Sequence, residues 1–332
     1  MDFGKKGVII IASVIVILSV TAGVWLTTGQ HSPEPTKEEI FVMYAGSLVK
    51  TFESTIGPSF ERETGYTYVG EGKGAVQIAN MIIDQQRNPD VFVSAGTIPI
   101  KKIMDNKPPL AHWLVKFASA EIVIAYTPTS PFFNDLEKAR KGELPWYEVL
   151  SKDDLKFRRT DPELNPKGYY MIIVAKLANA YYNDPTIKDK ILGEDRNPEQ
   201  ILPEETLMTT LEQGQIDAAE AYRHEAVARG LPYIELPKEI NLSDPTHSDF
   251  YKKASYTLGN GKIVYGEPVY FSVTIPETSK HIDGSIAFVK FLLSETGRNL
   301  LDRDGLTPIK AAAEGDVEKI PYAIKSLLGD QP

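Results

Sequence analysis

The sequence predicts an α/β protein that folds into two lobes. Two observations support this fold class. Short β-type apolar runs alternate with amphipathic helical patterns along most of the chain, which is the order typical of α/β folds. Breaks rich in proline and glycine at 127–131 and 259–268 bracket a middle block. If the chain leaves a first lobe near one break and returns near the other, the middle block forms a second lobe inserted in the first.

The N-terminus predicts a membrane anchor. Two lysines, Lys5 and Lys6, precede an uncharged apolar run over 8–26, which is about the length that crosses a bilayer. We therefore expect 1–27 to be a membrane anchor or a signal segment and 28–38 to be a polar linker. Cleavage by signal peptidase, which would release the protein, stays open as the alternative.

The remaining elements follow in chain order. Strands are predicted at 40–45, 66–70, 90–94, 121–126 and 269–275. Helices are predicted at 48–63, 74–86, 97–105, 168–183, 205–213, 219–229 and 282–295. This order predicts mostly parallel sheets, with lobe 1 formed by 39–125 and 267–330 and lobe 2 by 126–266.

Two strand-to-helix turns in the first lobe predict an anion site. The first lies at Gly46-Ser47, and the second is the glycine-rich segment 70–75, which contains Lys73. At such a turn the backbone N–H groups and the positive end of the helix dipole point at one spot. Ser47 is either a simple helix cap or a ligand-binding hydroxyl. Lys73 either points to solvent or balances an anion that lies between it and the helix.

The middle block supplies three further candidates. The long turn 159–168, which contains Asn165, feeds a helix and is either a structural loop or a third ligand-facing helix start. Glu204 at the next helix start either complements the helix dipole or contacts a ligand. Tyr222 is predicted near the start of another helix, where its hydroxyl either reaches a cleft or packs in the core.

Composition narrows the class of function. The 332 residues carry a net charge of −9 and no basic tract, so a nucleic-acid partner is not expected. The absence of cysteine excludes disulfides and thiolate metal sites. The five histidines are scattered and no nucleophile motif is present. We therefore expect no enzyme activity, no cofactor and no site for a free metal ion; an extracytoplasmic phosphate-ester hydrolase is the rival from another class.

The chain resembles the molybdate/tungstate-binding proteins of ABC importers, most closely their archaeal branch. The resemblance extends over nearly all of 40–310 and rests on the order of many short motifs. The motifs include Tyr44-Ala45-Gly46-Ser47-Leu48, Asn88-Pro89-Asp90-Val91, the run from Asp161-Pro162 to Gly168-Tyr169, Gly230-Leu231-Pro232-Tyr233 and Thr274-Ile275-Pro276. It implies a periplasmic-binding-protein fold of the second topological type (type II) and delivery of an oxyanion to a membrane permease.

The resemblance also assigns residues. Ser47 falls on the family's first ligand-binding serine, and Lys73 replaces the second. Of the two carboxylates that the archaeal branch places around the metal, one maps to Glu204, so the molybdenum or tungsten can be approached by Glu204. The other maps to Asn165, which is not an acid. Tyr222 falls on a tyrosine that helps to bind the anion in bacterial relatives.

These expectations combine into one hypothesis. An extracytoplasmic protein, anchored by residues 8–26, closes two lobes over molybdate or tungstate and delivers it to ABC permease subunits. The predicted ligand-binding residues are Ser47, Lys73, Asn165, Glu204 and Tyr222. Because Lys73 and Asn165 make the predicted site more positive, another oxyanion such as sulfate or phosphate stays open, as does a membrane-tethered sensor.

Overall fold

The computed structural model describes residues 38–328. The predicted anchor and the polar linker up to residue 37 lie outside the described residues. Within residues 38–328, no helix has the length and apolar character needed to cross a bilayer.

The first lobe is built on a six-stranded sheet. Its strands are β1 (Glu39–Ala45), β2 (Thr67–Lys73), β3 (Val91–Ala95), β4 (Trp113–Ser119), β11 (Tyr270–Thr274) and β12 (Thr307–Gly315), in the spatial order β12-β4-β11-β3-β1-β2. β1 pairs in parallel with β2 and β3. β11 is antiparallel to both β3 and β4, because it is the strand on which the chain returns from the second lobe.

The second lobe has a smaller sheet of four strands and a hairpin. The sheet consists of β5 (Ile122–Tyr126), β6 (Phe157–Arg158), β7 (Ala218–Tyr222) and β8 (Tyr233–Glu235), in the order β6-β7-β5-β8. The hairpin consists of β9 (Ser255–Thr257) and β10 (Ile263–Tyr265), which pair antiparallel.

Helices cover both sheets. They are α1 (Val49–Thr51), α2 (Gly57–Thr64), α3 (Ala75–Ile83), α4 (Ile98–Met104), α5 (Phe133–Arg140), α6 (Trp146–Leu150), α7 (Pro166–Tyr181), α8 (Ile187–Leu192), α9 (Glu204–Glu212), α10 (Arg223–Arg229), α11 (Ser248–Tyr251), α12 (Ile282–Leu293), α13 (Glu295–Arg303) and α14 (Tyr322–Lys325). A π-helical segment, Phe52–Ile56, joins α1 to α2. Short 3₁₀ turns lie at Gly46–Leu48, Pro198–Gln200, Pro245–His247 and Val317–Lys319.

The prediction of mostly parallel sheets was wrong. Antiparallel pairs outnumber parallel ones in both sheets, because the chain crosses between the lobes on β4 and β5 and returns on β11. β5 pairs with β7 and β8, so 122–125 belong with the second sheet and not with 39–121.

Two predicted elements were wrong in extent. The segment 70–73 is strand and not turn, because β2 stays in register with β1 up to the pair Ala45 and Lys73. The predicted helix 219–229 begins only at Arg223. Its first part lies in β7, a fully buried strand with three alanines, and burial on both faces removes the alternation that identifies a strand in the sequence.

The parallel strands of the first lobe end against the second lobe. Glycines follow β1 and β3 directly, at Gly46 and Gly96, and a third, Gly74, follows β2. A Cβ on Gly46 would overlap the Glu204 side chain, and one on Gly74 would lie 2.6 Å from the carbonyl oxygen of Leu164. Only glycine allows this approach. The lobes therefore touch where the anion site was predicted.

Candidate functional site

The turn after β1 presents a buried hydroxyl to the second lobe. β1 runs directly into the 3₁₀ turn Gly46–Leu48 and then into α1. Ser47 is 2% exposed, and its Oγ has no hydrogen-bond partner among the described residues. Buried hydroxyls without a partner are uncommon, because desolvation is then uncompensated. Ser47 is therefore available to a ligand.

The end of β2 places Lys73 at the rim of the interface. Its Nζ lies 3.6 Å from Oε1 of Glu71 and 3.9 Å from Oε1 of Glu205, and the Lys73 side chain is 28% exposed. Behind it, the backbone N–H of Gln77 donates to the carbonyl of Leu164 at 3.3 Å. The structure thus places the Lys73 ammonium in a pair with carboxylates of both lobes.

Asn165 is the N-cap of α7. Its Oδ1 accepts a hydrogen bond of 2.8 Å from the backbone N–H of Lys167, which satisfies one of the free donors at the helix start. The Asn165 side chain is buried. With Glu204 and Gly74, it lines a cavity of about 310 Å³ between the lobes.

Three helix starts meet at the side chain of Lys167. Lys167 lies in the first turn of α7, Glu204 begins α9, and Glu225 lies in the first turn of α10. The Lys167 Nζ donates to Oε1 and Oε2 of Glu225, at 2.9 and 2.7 Å, and to Oε1 of Glu204, at 3.2 Å. Oε2 of Glu204 has no partner within residues 38–328.

The charges of this network are set by burial. Burial raises the pKa of Glu204 to about 8, although the Lys167 ammonium opposes the shift. Burial also disfavours the ammonium of Lys167, but its acidic neighbours outweigh burial and keep its pKa above the usual value. The shorter ion pair, at 2.7 Å, is with the Glu225 carboxylate. Glu204 is therefore mostly a neutral acid at pH 7, and its free oxygen can donate a hydrogen bond.

Tyr222 ends β7 and precedes α10. Its side chain is fully buried, and no described residue hydrogen-bonds to its hydroxyl. The Lys167 Nζ lies 5.6 Å from the centre of the Tyr222 ring. The backbone N–H of Tyr222 donates to Oε2 of Glu225 at 2.8 Å. These contacts bring Tyr222 into the same network as Glu204.

His224 joins this network to Ser47. Its ring stacks on Tyr222 with centroids 5.7 Å apart, and its Nε2 donates to the carbonyl of Ser47 at 3.1 Å. Burial lowers the pKa of His224 to about 4, so the imidazole is neutral at pH 7. The structure thus brings Ser47, Glu204 and Tyr222 into one buried set of contacts and leaves the ammonium of Lys73 at its edge.

Sequence reasoning missed Lys167, Glu225 and His224. A signal for Glu225 exists, because an acid three residues after a helix cap is a capping pattern. A buried lysine has no such signal, since lysine is almost always exposed. In the described part of the chain, no group of three or more acidic or histidine side chains is arranged to hold a metal ion.

Comparisons with known proteins agree with this architecture. A family model described as bacterial extracellular solute-binding protein matches residues 40–307. The molybdate/tungstate-binding protein WtpA of Pyrococcus abyssi is 33% identical over 346 residues and covers 96% of each chain. An uncharacterized solute-binding protein of Petrotoga mobilis is 32% identical over 297 residues, covering 87% of this chain and 90% of the relative.

A solved structure has the same two-lobed fold. The periplasmic molybdate-binding protein of Azotobacter vinelandii matches with a TM-score of 0.56 at 14% identity, over 81% of this chain and 98% of that one. At that identity the match concerns the fold alone, whereas the family match spans most of the chain. The chain is thus a member of the bacterial extracellular solute-binding protein family.

Proposed function

We propose that this protein captures molybdate or tungstate between its lobes and delivers it to an ABC permease. One observation carries the proposal. Ser47 Oγ in the first lobe and the Tyr222 hydroxyl in the second are both buried without a partner among the described residues, and His224 links the two. A tetrahedral oxyanion that accepts from both hydroxyls would satisfy them.

The electrostatics of the site suit an anion. The N-termini of α7, α9 and α10 meet here, and each carries about half a positive charge. The charge of Lys167 is offset by its ion pair with Glu225, so the pair adds no net negative charge to the site. With Glu204 in its neutral form, a dianion meets dipoles and hydrogen-bond donors in a site shielded from water.

Five residues were predicted to bind the ligand, and we propose two kinds of role for them. Ser47, Glu204 and Tyr222 contact the anion. Asn165 fixes the start of α7, and Lys73 holds the lobes together through Glu205. These roles follow from the partner that each side chain has or lacks.

The lobes and their topology are part of the proposal. We assign residues 39–121 and 267–328 to lobe 1 and 122–266 to lobe 2, because β5 pairs within the second sheet. The insertion of the returning strand β11 between β3 and β4 supports the second topological type. We also propose that the apolar run 8–26 anchors the protein outside the cytoplasm.

The choice of molybdate or tungstate rests on relatives that carry those anions in their names. Asn165 favours a second candidate, another oxyanion such as sulfate or phosphate. Asn165 is not an acid, and its Oδ1 already accepts the hydrogen bond of the helix cap. Among the five predicted site residues, Glu204 alone then has a carboxyl oxygen free to approach the metal of molybdate.

Calorimetric titration of the purified full chain tests both candidates. We expect molybdate and tungstate to bind, and Ser47→Ala and Tyr222→Phe each to weaken binding by about tenfold, the loss typical of one hydrogen bond to a charged group. Ser59→Ala, whose hydroxyl accepts from Arg62, is the matched control and should bind normally. No heat with any oxyanion would contradict the proposed function. Sulfate binding as tightly as molybdate would contradict the choice of anion.

A further inference from the structure

The position of Lys167 is unfavourable for a cation. The side chain is fully buried in the first turn of α7. Burial opposes a positive charge, and so does the positive end of the helix dipole. Such a lysine remains charged only because carboxylates surround it.

The two carboxyl groups that hydrogen-bond to Lys167 are not equivalent. Glu225 binds the ammonium with both oxygens and also accepts from the N–H of Tyr222. Glu204 uses one oxygen, at the longer distance of 3.2 Å, and its other oxygen has no partner among residues 38–328. Glu225 therefore holds the ammonium in place, while the contact with Glu204 can be given up or shared.

We infer that the Lys167 ammonium, which Glu225 holds 3.2 Å from Glu204, stabilises the bound oxyanion electrostatically and thereby selects doubly charged over singly charged tetrahedral anions. This inference rests on the proposed function. The Lys167 Nζ lies within 3.2 Å of Glu204 and 5.6 Å of the Tyr222 ring centre. Both residues belong to the buried contacts around Ser47.

Lys73 is the competing cation and is less suited to this role. Its ammonium is partly exposed and lies 3.6 Å or more from its carboxylate partners, so water and salt screen its charge. The field of Lys167 acts through a protein interior of lower effective dielectric constant. Lys167 should therefore distinguish a doubly charged anion from a singly charged one, whereas Lys73 should hardly distinguish them.

Tungstate and perrhenate are the probes, because they share a tetrahedral shape and differ by one charge. Their affinities are measured by calorimetry on the full-length wild type, E225Q, K167M/E225Q and K73M. The double variant removes the ammonium together with the carboxylate that holds it, so that neither is left buried alone. Melting curves show whether each variant folds.

Relative to E225Q, we expect K167M/E225Q to weaken tungstate binding by about 10- to 100-fold and perrhenate binding by less than about threefold. K73M should change the two affinities by the same factor, because a contact between the lobes at the exposed rim does not distinguish the charge of the anion. Equal losses for the two anions would mean that Lys167 acts only on structure, which would overturn the inference, as would an unchanged affinity for tungstate. A larger selective loss in K73M would assign the role to Lys73.

A second measurement on the wild type covers the case in which the double variant does not fold. The ratio of the tungstate and perrhenate affinities should stay nearly constant from low to high ionic strength, because the cation is buried. A ratio that collapses with salt would overturn the inference. If the wild type binds no oxyanion at all, the proposed function fails and the inference fails with it, whereas the variant results above overturn the inference alone.

Discussion

At the scale of single residues, the site depends on polar atoms that the fold leaves without partners. Ser47 follows β1, at a strand-to-helix turn that the sequence predicts. Tyr222 ends β7, a strand that lies within a predicted helix. Lys167 and His224 could not be predicted in the same way. A lysine or a histidine becomes part of a buried network only through tertiary contacts that the local pattern does not encode.

Glu204 predicts a pH dependence of anion binding. Its pKa is raised to about 8, so it is neutral below that pH and a carboxylate above it. As the pH rises through 8, we expect the affinity for tungstate to fall by up to about tenfold per pH unit, because the ionised side chain repels the anion. Titrations between pH 6 and 10 measure the slope.

The matched variants are Glu204→Gln and Glu205→Gln. Glutamine at 204 keeps a neutral side chain of the same size, so we expect near-wild-type affinity at pH 7 and no decline above pH 8. Glu205 is the exposed neighbour that pairs with Lys73, and its variant should keep the decline. A decline of equal slope in the Glu204→Gln variant would show that another group titrates.

At the scale of elements, α7 has a residue of the predicted site, Asn165, as its N-cap. Asn165 caps α7 through Lys167. We expect Asn165→Ala to lower the free energy of unfolding by about 1 kcal/mol, the usual value of an N-cap, and Asn165→Asp to retain it because an aspartate accepts the same bond. Urea unfolding measures both.

Asn197 supplies the control for this prediction. It caps the exposed 3₁₀ turn Pro198–Gln200 with the same geometry, accepting from the N–H of Glu199. Its replacement by alanine should affect stability less than that of Asn165, since its surroundings are open to water. An Asn165→Ala variant as stable as the wild type would argue against the cap.

The elements themselves were predicted unevenly. The strand–helix order over 39–105 was correct because β1 and β3 are apolar runs followed by clear helix starts. β4 and β12 were missed. β12 contains Pro308 and a register shift against β4, features that weaken the sequence signal of a strand. β7 lies within a predicted helix because alanine favours helices and burial on both faces of the strand removes the strand pattern.

At the scale of the whole molecule, binding depends on how closely the lobes meet. Gly74 is a stringent point of contact, because a Cβ there would lie 2.6 Å from the backbone oxygen of Leu164. A backbone atom cannot rotate away as a side chain can. We expect Gly74→Ala to hold the lobes apart, to weaken tungstate binding by at least about tenfold, and to enlarge the radius of gyration measured by X-ray scattering with tungstate present.

Gly65→Ala is the control for closure. Gly65 has a positive φ of 79°, so alanine strains the backbone, but a Cβ there meets no atom within 4 Å. This variant should lose about 1 kcal/mol of stability and bind tungstate like the wild type. If Gly74→Ala and Gly65→Ala bind tungstate equally well, the contact at Gly74 does not limit the closure of the lobes.

The two-lobed organisation was predictable from the sequence, since the proline and glycine breaks lie near the two ends of the inserted block. The residue at which the chain passes from the first lobe to the second was not predictable from these breaks. β4 and β5 are separated by only Ala120 and Glu121, so the chain changes lobes without a proline or a run of glycines. The first break, at 127–131, lies after β5 and marks a turn inside the second lobe.

The central claim is that an oxyanion lies between Ser47 of one lobe and Tyr222 of the other. Anomalous X-ray diffraction at the tungsten edge, on crystals of the full chain grown with tungstate, tests it most directly. The account predicts one strong peak between the lobes, with tungstate oxygens in hydrogen-bonding reach of Ser47 Oγ and the Tyr222 hydroxyl. A tungsten peak at the rim beside Lys73, or the absence of a tungsten peak between the lobes, would contradict the claim.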